Sequence, residues 1–197
     1  CTSLSKQDDI IQKIATQEGA KCFRGSLNNK LKRWLDCALF YNIETFHTID
    51  ADDPFFDGDE IWKSIELLTR ENLDMVCPTL SSSSGGASVG YSLKTDIIKK
   101  ACDSIDNDTN TEMMWLFLEK VPEIKVKILP ESINSMHNIR LTLDYEEDYW
   151  LLASIVRLIG NNASRSQVIK LLLNNPDLHK INFFRNNEWK KSQTLVN

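Results

Sequence analysis

The segment "TIDADDPFFDGDEIWKSI", residues 48–65, concentrates acidic side chains directly after a short apolar-leaning run. That run predicts a strand over residues 44–49, and the pattern beyond it predicts a helix from Asp57 to Arg70. The acidic side chains therefore follow the end of a strand and precede a helix, a position at which α/β proteins bind ligands. The helix positions expected to face inward are Ile61, Trp62, Ile65 and Leu68.

Strand and helix patterns alternate along the rest of the chain. Strands are predicted over residues 20–23, 44–49, 73–78, 89–93, 124–129 and 140–143. Helices are predicted over residues 5–19, 57–70, 94–102, 112–120, 146–159 and 164–173, and a further helix is predicted from an apolar stripe that runs from Leu31 to Leu39. Short strands that alternate with helices of about 10–15 residues predict an α/β fold, with a largely parallel sheet between helical layers.

The composition limits both the number of domains and the class of partner. The chain has 197 residues, of which 42% are hydrophobic and 26% are charged, and no linker-like stretch interrupts it. We therefore expect a single domain over residues 1–197. The formal net charge of -5 leaves no broad cationic surface for DNA or RNA, although a local basic pocket for a small anion is compatible with it.

The cysteines and the hydropathy pattern bear on the cellular location. Five cysteines are scattered along the chain and never form a C-x-x-C pair. Their odd number and spacing argue against a disulfide framework and a zinc site, and favour a reducing cytoplasm. The sequence has no apolar run of about 18 residues, the length that a membrane-spanning helix needs. We therefore expect a cytoplasmic protein with no membrane partner.

Asp50 and Asp52 form a D-x-D pair just beyond the predicted strand 44–49. Carboxylate oxygens in this position suit Mg²⁺ or Mn²⁺, which in turn would hold the phosphates of a nucleotide. Other acids of the segment have a simpler interpretation, because aspartates at the start of a helix cap it and stabilise its dipole. Capping is the interpretation for Asp53, Asp57 and Asp59.

A second acidic motif is "NIRLTLDYEEDYW", residues 138–150. The predicted strand 140–143 places Asp144 at its end, and the acids that follow occupy the first turn of a helix, where acids usually act as caps. Asp144 is either a helix cap or, together with Asp52, a ligand of one metal ion at the same edge of the sheet. Both interpretations are open from the residues alone.

A third motif is "CFRGSLNNKLKRW", residues 22–34. It places Arg24 beside a Gly-Ser turn that includes Ser26, and Arg33 on the helix that follows. Backbone N–H groups at such a turn, together with an arginine, are suited to contact a phosphate or a ribose. The alternative is a surface loop in which the glycine only permits the turn.

The order and wording of these motifs resemble the cytidylyltransferases that activate sugars. The group includes spore-coat polysaccharide biosynthesis proteins and acylneuraminate cytidylyltransferases. The matching pieces are residues 23–38, which begin with "FRGS", "ID.D.P..D" at 49–57, "IRLTLDYEEDYWLL" at 139–152 and "NPDLHKIN" at 175–182. The resemblance implies a Rossmann-like nucleotide-diphospho-sugar transferase fold with a mostly parallel mixed sheet. It also implies Mg²⁺-dependent transfer of CMP from CTP to an acidic sugar, a sugar phosphate or a phosphonate, with release of pyrophosphate.

The resemblance also assigns roles to individual residues. Asp52 and Asp144 match the catalytic aspartates that hold the metal ion, and Arg140 matches a basic position beside the second aspartate and is predicted to bind the acceptor substrate. The residues predicted to bind the nucleotide are Arg24, Ser26, Arg33 and Asp50.

The resemblance further concerns the start of the chain and its assembly. The family's N-terminal strand and its Arg- and Gly-rich triphosphate loop would precede Cys1, so we expect these residues to belong to a longer functional polypeptide. Relatives commonly dimerise, and "TEMMWLFLEK", residues 111–120, is more apolar than one helix face usually buries. A homodimer is therefore expected, with an ordinary core helix as the alternative.

Two other functions remain open from the sequence. A glycosyltransferase of similar fold would use Asp50 and Asp52 to bind the diphosphate of a nucleotide sugar. A non-catalytic partner subunit, which has lost its triphosphate loop, would instead be stabilised by packing on another chain.

Overall fold

The computed structural model describes residues 1–80, 84–131 and 139–195, with the side chains of the last range described through Ser192. The strands are β1 Thr2–Ser3, β2 Arg24–Gly25, β3 Thr45–His47, β4 Met75–Cys77, β5 Ser92–Lys94 and β6 Val126–Ile128. The longer helices are α1 Asp9–Gln17, α2 Lys30–Phe40, α3 Gly58–Arg70, α4 Thr95–Cys102, α6 Glu146–Ile159, α7 Arg165–Asn174 and α9 Asn186–Leu195. The short helices are α5 Trp115–Leu118 and α8 Pro176–His179, and 3₁₀ turns cover Lys6–Asp8 and Phe183–Arg185.

Two sheets are formed by the described strands. β1 and β2 pair in parallel, and the larger sheet has the order β3-β5-β4-β6. β3 and β5 run antiparallel, because Thr48 N donates to Tyr91 O at one end and Thr95 N donates to Glu44 O at the other. β4 and β6 run parallel, as shown by the bonds Met75 N to Lys125 O and Leu129 N to Cys77 O. The predicted α/β fold with a mixed sheet is therefore confirmed.

The backbone divides into two compact units. The first comprises Cys1–Phe46, Leu73–Met75 and Leu93–Val126. The second comprises His47–Asn72, Val76–Ser92 and Lys127–Asn197. These bounds divide each of the four strands of the larger sheet between the two units. The division therefore does not test whether residues 1–197 act as a single domain, which stays a prediction.

The second unit has a core built largely from α6, α7 and the segments that precede them. Its buried apolar members are Phe55, Ala87, Ile139, Leu141, Leu151, Leu152, Ile155, Val168 and Leu172. Phe55 belongs to the acidic segment, and Leu141 belongs to the segment that leads to Asp144. Burial of these two apolar side chains therefore holds both acidic motifs on one core.

The structure corrects the prediction that Trp62 faces inward on α3. Trp62 is 73% exposed, although its helical spacing suggested a core position. The buried face of α3 consists of Glu60, Ser64, Leu67 and Leu68. Trp62 lies about 200° around the helix from Glu60, since each residue turns an α-helix by about 100°. Two polar residues thus occupy the face that the sequence assigned to a tryptophan.

None of the helices within the described ranges is both long and apolar enough to cross a membrane.

Candidate functional site

The two acidic motifs are joined by a backbone hydrogen bond. Leu143 N donates to Asp52 O at 2.8 Å. Because Asp144 directly follows Leu143, the two aspartates predicted as metal ligands lie on neighbouring backbone segments of the second unit. Asp52 is exposed, and the side chain of Asp144 is 31% exposed, so neither carboxylate is sealed in the core.

The segment before Asp144 is not the predicted strand. Residues 140–143 form no strand, and the N–H groups of alternate residues bond to two different segments instead of one continuous neighbour. Leu141 N donates to Gly85 O and Leu143 N donates to Asp52 O, both at 2.8 Å. The prediction of a strand here was wrong. The structure nevertheless places Asp144 on a backbone segment next to that of Asp52.

A close backbone approach fixes the start of the first acidic segment. Thr48 N donates to Tyr91 O at 2.9 Å, and Tyr91 N donates to Thr48 Oγ1 at 3.0 Å. Gly90 has a φ of +78°, and a Cβ at this position would lie 1.7 Å from Thr48 O. Only a glycine permits this contact, which sets the direction in which the chain leaves β3 toward Asp50.

A half-buried arginine supports the far end of the same segment. Arg165, on α7, donates from Nη1 to Phe55 O at 2.9 Å. Asp57 caps α3, since its side chain accepts from Asp59 N at 3.0 Å, so the capping interpretation is confirmed for Asp57. The acidic segment is therefore held by a cap at one position and by an arginine at another.

Asp53 is not a cap, and this corrects the prediction. Its side chain is only 7% exposed. Burial raises the pKa of Asp53 to about 7, and the charges of Asp52 and Asp50 act in the same direction. The nearby Ser88 backbone and Thr142 side chain act in the opposite direction on this pKa. Asp53 is thus a third carboxylate at the site.

Arg140 is fully buried, with 0% of its side chain exposed. Its Nε donates to Asp148 Oδ1 at 2.8 Å, and its Nη2 donates at 2.7 Å to both Asp148 Oδ2 and Asp144 Oδ2. Burial alone would lower the pKa of Arg140, but the hydrogen bonds and charges of Asp148 and Asp144 outweigh it and raise the pKa. Arg140 orients Asp144 in this structure, while the predicted contact with an acceptor stays a prediction.

Asp148 is the buried centre of this network. Besides Arg140, it accepts from the backbone N–H groups of Asp144 and Tyr145 at 3.0 Å each, and from Asn182 Nδ2 at 2.8 Å. Burial would raise the pKa of Asp148, but the Arg140 hydrogen bond and the other donors hold it below its ordinary value. Asp148 therefore fixes both the first turn of α6 and the backbone of Asp144.

Asn182 and Asp53 are the site residues that sequence reasoning missed. Asn182 is fully buried and also donates from Nδ2 to Arg140 O at 3.1 Å. Asn182 is the last residue of the "NPDLHKIN" motif. The match of that motif to the family was the one signal in the sequence that could have indicated Asn182. No local signal separated Asp53 from the capping acids, since its burial depends on distant segments.

Three residues predicted to bind the nucleotide lie in the first unit and make local contacts there. Arg24 donates to Ser3 O at 2.8 Å, to Ser5 O at 2.6 Å and to Asp9 Oδ1 at 2.6 Å. Ser26 accepts from Asn29 N at 3.1 Å, and Arg33 Nη1 donates to Ser26 O at 2.5 Å. Their nucleotide contacts stay predictions, as does that of Asp50, which is exposed in the second unit.

The donor set limits how a metal ion would be held. Among the residues that the structure describes, no group of three or more His, Cys, Asp or Glu side chains is arranged to hold a metal. Mg²⁺ commonly takes one or two carboxylates and completes its shell with water and substrate phosphates. Asp52 and Asp144 fit that pattern of two protein ligands, and a closed all-protein metal site is not present in the described residues.

Comparison with known proteins agrees with the motifs. No protein-family model matches the chain. The spore coat polysaccharide biosynthesis protein SpsF of Bacillus subtilis is 27% identical over 183 residues, covering 89% of this chain and 74% of SpsF. A cytidylyltransferase from Leptospira borgpetersenii superposes with a TM-score of 0.78 at 21% identity, covering 90% of this chain and 76% of that one. The predicted resemblance to cytidylyltransferases is confirmed.

The cytidylyltransferase fold is thus the fold of this chain, and the predicted fold class is correct. A further relative is the uncharacterized protein MJ1063 of Methanocaldococcus jannaschii, which is 28% identical over 184 residues, covering 92% of this chain and 74% of MJ1063. These matches extend over nearly all of the chain and include both acidic motifs.

Proposed function

We propose that this chain is a nucleotidyltransferase that transfers CMP from CTP to a small anionic acceptor and releases pyrophosphate, with Mg²⁺ or Mn²⁺ as cofactor. The observation that carries this proposal is the 2.8 Å hydrogen bond from Leu143 N to Asp52 O, which sets Asp52 and Asp144 on adjacent segments. Two carboxylates so placed suit a divalent cation that also contacts phosphate oxygens. The likeness to SpsF and to a cytidylyltransferase supports the choice of CTP.

The reaction would join an acceptor oxygen to the α-phosphorus of CTP and break the bond between that phosphorus and the β-phosphate oxygen. The electron pair leaves with pyrophosphate, and the proton of the acceptor, where it carries one, passes to solvent. A divalent cation supplies charge neutralisation and alignment when it is bound. Asp52 and Asp144 hold and orient it, and no side chain needs to form a covalent bond.

The surroundings of Asp144 fit such a role. Both of its side-chain hydrogen bonds, from Arg140 and from Thr142, go to Oδ2. Its Oδ1 makes no hydrogen bond with the described residues and is available as a ligand. The buried pair Arg140 and Asp148 prevents the carboxylate from rotating away, so the ligand is preorganised.

Other parts of the proposal extend beyond the acidic site. We propose that CTP binding needs a triphosphate-holding segment N-terminal to Cys1, as the resemblance implies, and that the acceptor is an acidic sugar, a sugar phosphate or a phosphonate. A homodimer is also proposed on the resemblance alone. The segment 111–120 gives the proposed homodimer little support. Met114 and Leu118 are buried, and Leu116 is 37% exposed.

The test is a pyrophosphate-release assay with the full-length protein, CTP, Mg²⁺ and a panel of the three acceptor classes. Acceptor-dependent release of pyrophosphate that EDTA abolishes is the expected result. A glycosyltransferase would release none from CTP but would consume a nucleotide sugar, and a non-catalytic partner subunit would do neither. Either of those outcomes would overturn the proposal.

A further inference from the structure

Thr142 belongs to the second acidic motif and is only 5% exposed. Its hydroxyl donates to Asp144 Oδ2 at 3.2 Å. A buried hydroxyl therefore contacts one carboxylate oxygen of an aspartate that is predicted to bind a metal ion.

The backbone on both sides of Thr142 is fixed. Leu141 N donates to Gly85 O and Leu143 N donates to Asp52 O, both at 2.8 Å. Leu141 is fully buried in the core of the second unit, which anchors the segment further. A β-branched residue on a fixed backbone has few allowed χ1 positions, so the hydroxyl is held where it is.

The contact of Thr142 has a consequence for Asp144. A hydroxyl has one proton to donate, and here that proton goes to Asp144 Oδ2. Thr142 and Arg140 Nη2 both bond to Asp144 Oδ2. Together they hold this oxygen inward and leave Oδ1 pointing away from the network.

We propose that Thr142 is a positioning residue that holds Asp144 Oδ2 and thereby presents Asp144 Oδ1 to a divalent cation. This rests on the proposed function, because it assumes that Asp144 is a metal ligand. The role is served by the hydroxyl group. The methyl group of Thr142 only fills space in a buried site, and the side chain of valine would fill the same space.

Two substitutions separate the hydroxyl from the side-chain volume. Thr142→Val keeps the shape and removes the hydrogen bond, whereas Thr142→Ser keeps the hydroxyl. Thr95→Val is the matched control, because Thr95 is also buried, at 8% exposure, and its hydroxyl donates to Ile43 O at 2.5 Å in the first unit. Each full-length variant is titrated with Mn²⁺, with and without CTP, and free Mn²⁺ is measured by electron paramagnetic resonance.

Thr142→Val is expected to weaken Mn²⁺ binding by about 10-fold or more, the usual effect of removing an outer-shell partner of a metal ligand. Thr142→Ser and Thr95→Val should bind Mn²⁺ as the unsubstituted protein does. The Mg²⁺ concentration that gives half-maximal pyrophosphate release should rise in the valine variant only. If Thr142→Val does not fold, Thr142→Ala is compared with Thr142→Ser, and the same difference is expected.

The outcomes distinguish the two levels of the proposal. Equal Mn²⁺ affinity in Thr142→Val and the unsubstituted protein would overturn the role of Thr142 while leaving the proposed function in place. Equal weakening in Thr142→Val and Thr142→Ser would also overturn it, because the hydroxyl would not then be the decisive group. An unsubstituted protein that neither binds Mn²⁺ nor releases pyrophosphate would overturn the proposed function itself.

Discussion

Arg140 and Asp148 form an ion pair in which both side chains are 0% exposed and two hydrogen bonds, of 2.8 and 2.7 Å, join the groups. A buried pair of this kind contributes little relative to apolar residues of the same size, but removing one member leaves an uncompensated charge in the core. The pair also touches Asp144, so its geometry reaches the candidate metal site.

Asp148→Asn is therefore expected to lower the free energy of unfolding by about 3–5 kcal/mol, because Arg140 would keep its charge without a buried anion. Urea unfolding followed by circular dichroism measures this. Glu146→Gln is the control, since Glu146 is an exposed acid in the same first turn of α6 and its loss should cost about 1 kcal/mol or less. Similar losses in the two variants would show that the buried pair is not the source of the effect.

The corrected orientation of α3 leads to a prediction about Trp62. Trp62 is 73% exposed, so Trp62→Gln should change the free energy of unfolding by no more than about 0.5 kcal/mol. Leu68 is 2% exposed, and Leu68→Ala should cost about 2–5 kcal/mol through lost burial and a residual cavity. Thermal and urea unfolding of both variants test this, and a large loss with Trp62→Gln would place that face of α3 against another surface.

The contact between Gly90 and Thr48 gives a third prediction. Gly90→Ala should destabilise the protein by more than about 1 kcal/mol, because residue 90 has a φ of +78° and the new Cβ would overlap Thr48 O. Gly58→Ala is the matched control. A Cβ there meets nothing within 4 Å, and the position lies at the start of α3, where alanine is favoured over glycine by about 0.5–1 kcal/mol.

The melting temperatures should therefore move in opposite directions, down for Gly90→Ala and up or unchanged for Gly58→Ala. Gly90→Ala should also lower activity beyond its effect on stability, since the Thr48 backbone begins the segment that carries Asp52. A Gly90→Ala variant as stable as the unsubstituted protein would show that this contact is not required.

The sequence predicted elements well where local patterns decide them. The predicted helices 57–70 and 146–159 correspond to Gly58–Arg70 and Glu146–Ile159, because caps and apolar spacing are local signals. Features that depend on distant segments were missed. Residues 140–143 look like a strand in sequence, yet their N–H groups bond to Gly85 and Asp52, which are far away along the chain.

The same distinction applies to the candidate site. Asp52 and Asp144 could be singled out because each follows a segment that looks like a strand in sequence and matches a family motif. The burial of Asp53 and the contact of Asn182 with Asp148 could not, since each depends on how remote segments pack. Arg140 was predicted to bind a substrate, but the sequence did not indicate that Arg140 is buried and paired with Asp148.

The last prediction concerns the two aspartates themselves. Asp52→Asn and Asp144→Asn each replace one carboxylate by a neutral amide of similar shape, so each should lower CTP-dependent pyrophosphate release by orders of magnitude, because the cation would lose a charged ligand. The fold should persist, since both side chains are at least partly exposed, and circular dichroism checks this.

Asp59→Asn is the control, because Asp59 is an exposed acid in the first turn of α3 whose backbone N–H, not its carboxylate, makes the cap hydrogen bond. It should leave turnover unchanged. If the Asp52 or the Asp144 variant retains near-normal Mg²⁺-dependent turnover, that residue is not a metal ligand. If both variants retain it, the metal ion does not bind between these two acidic motifs.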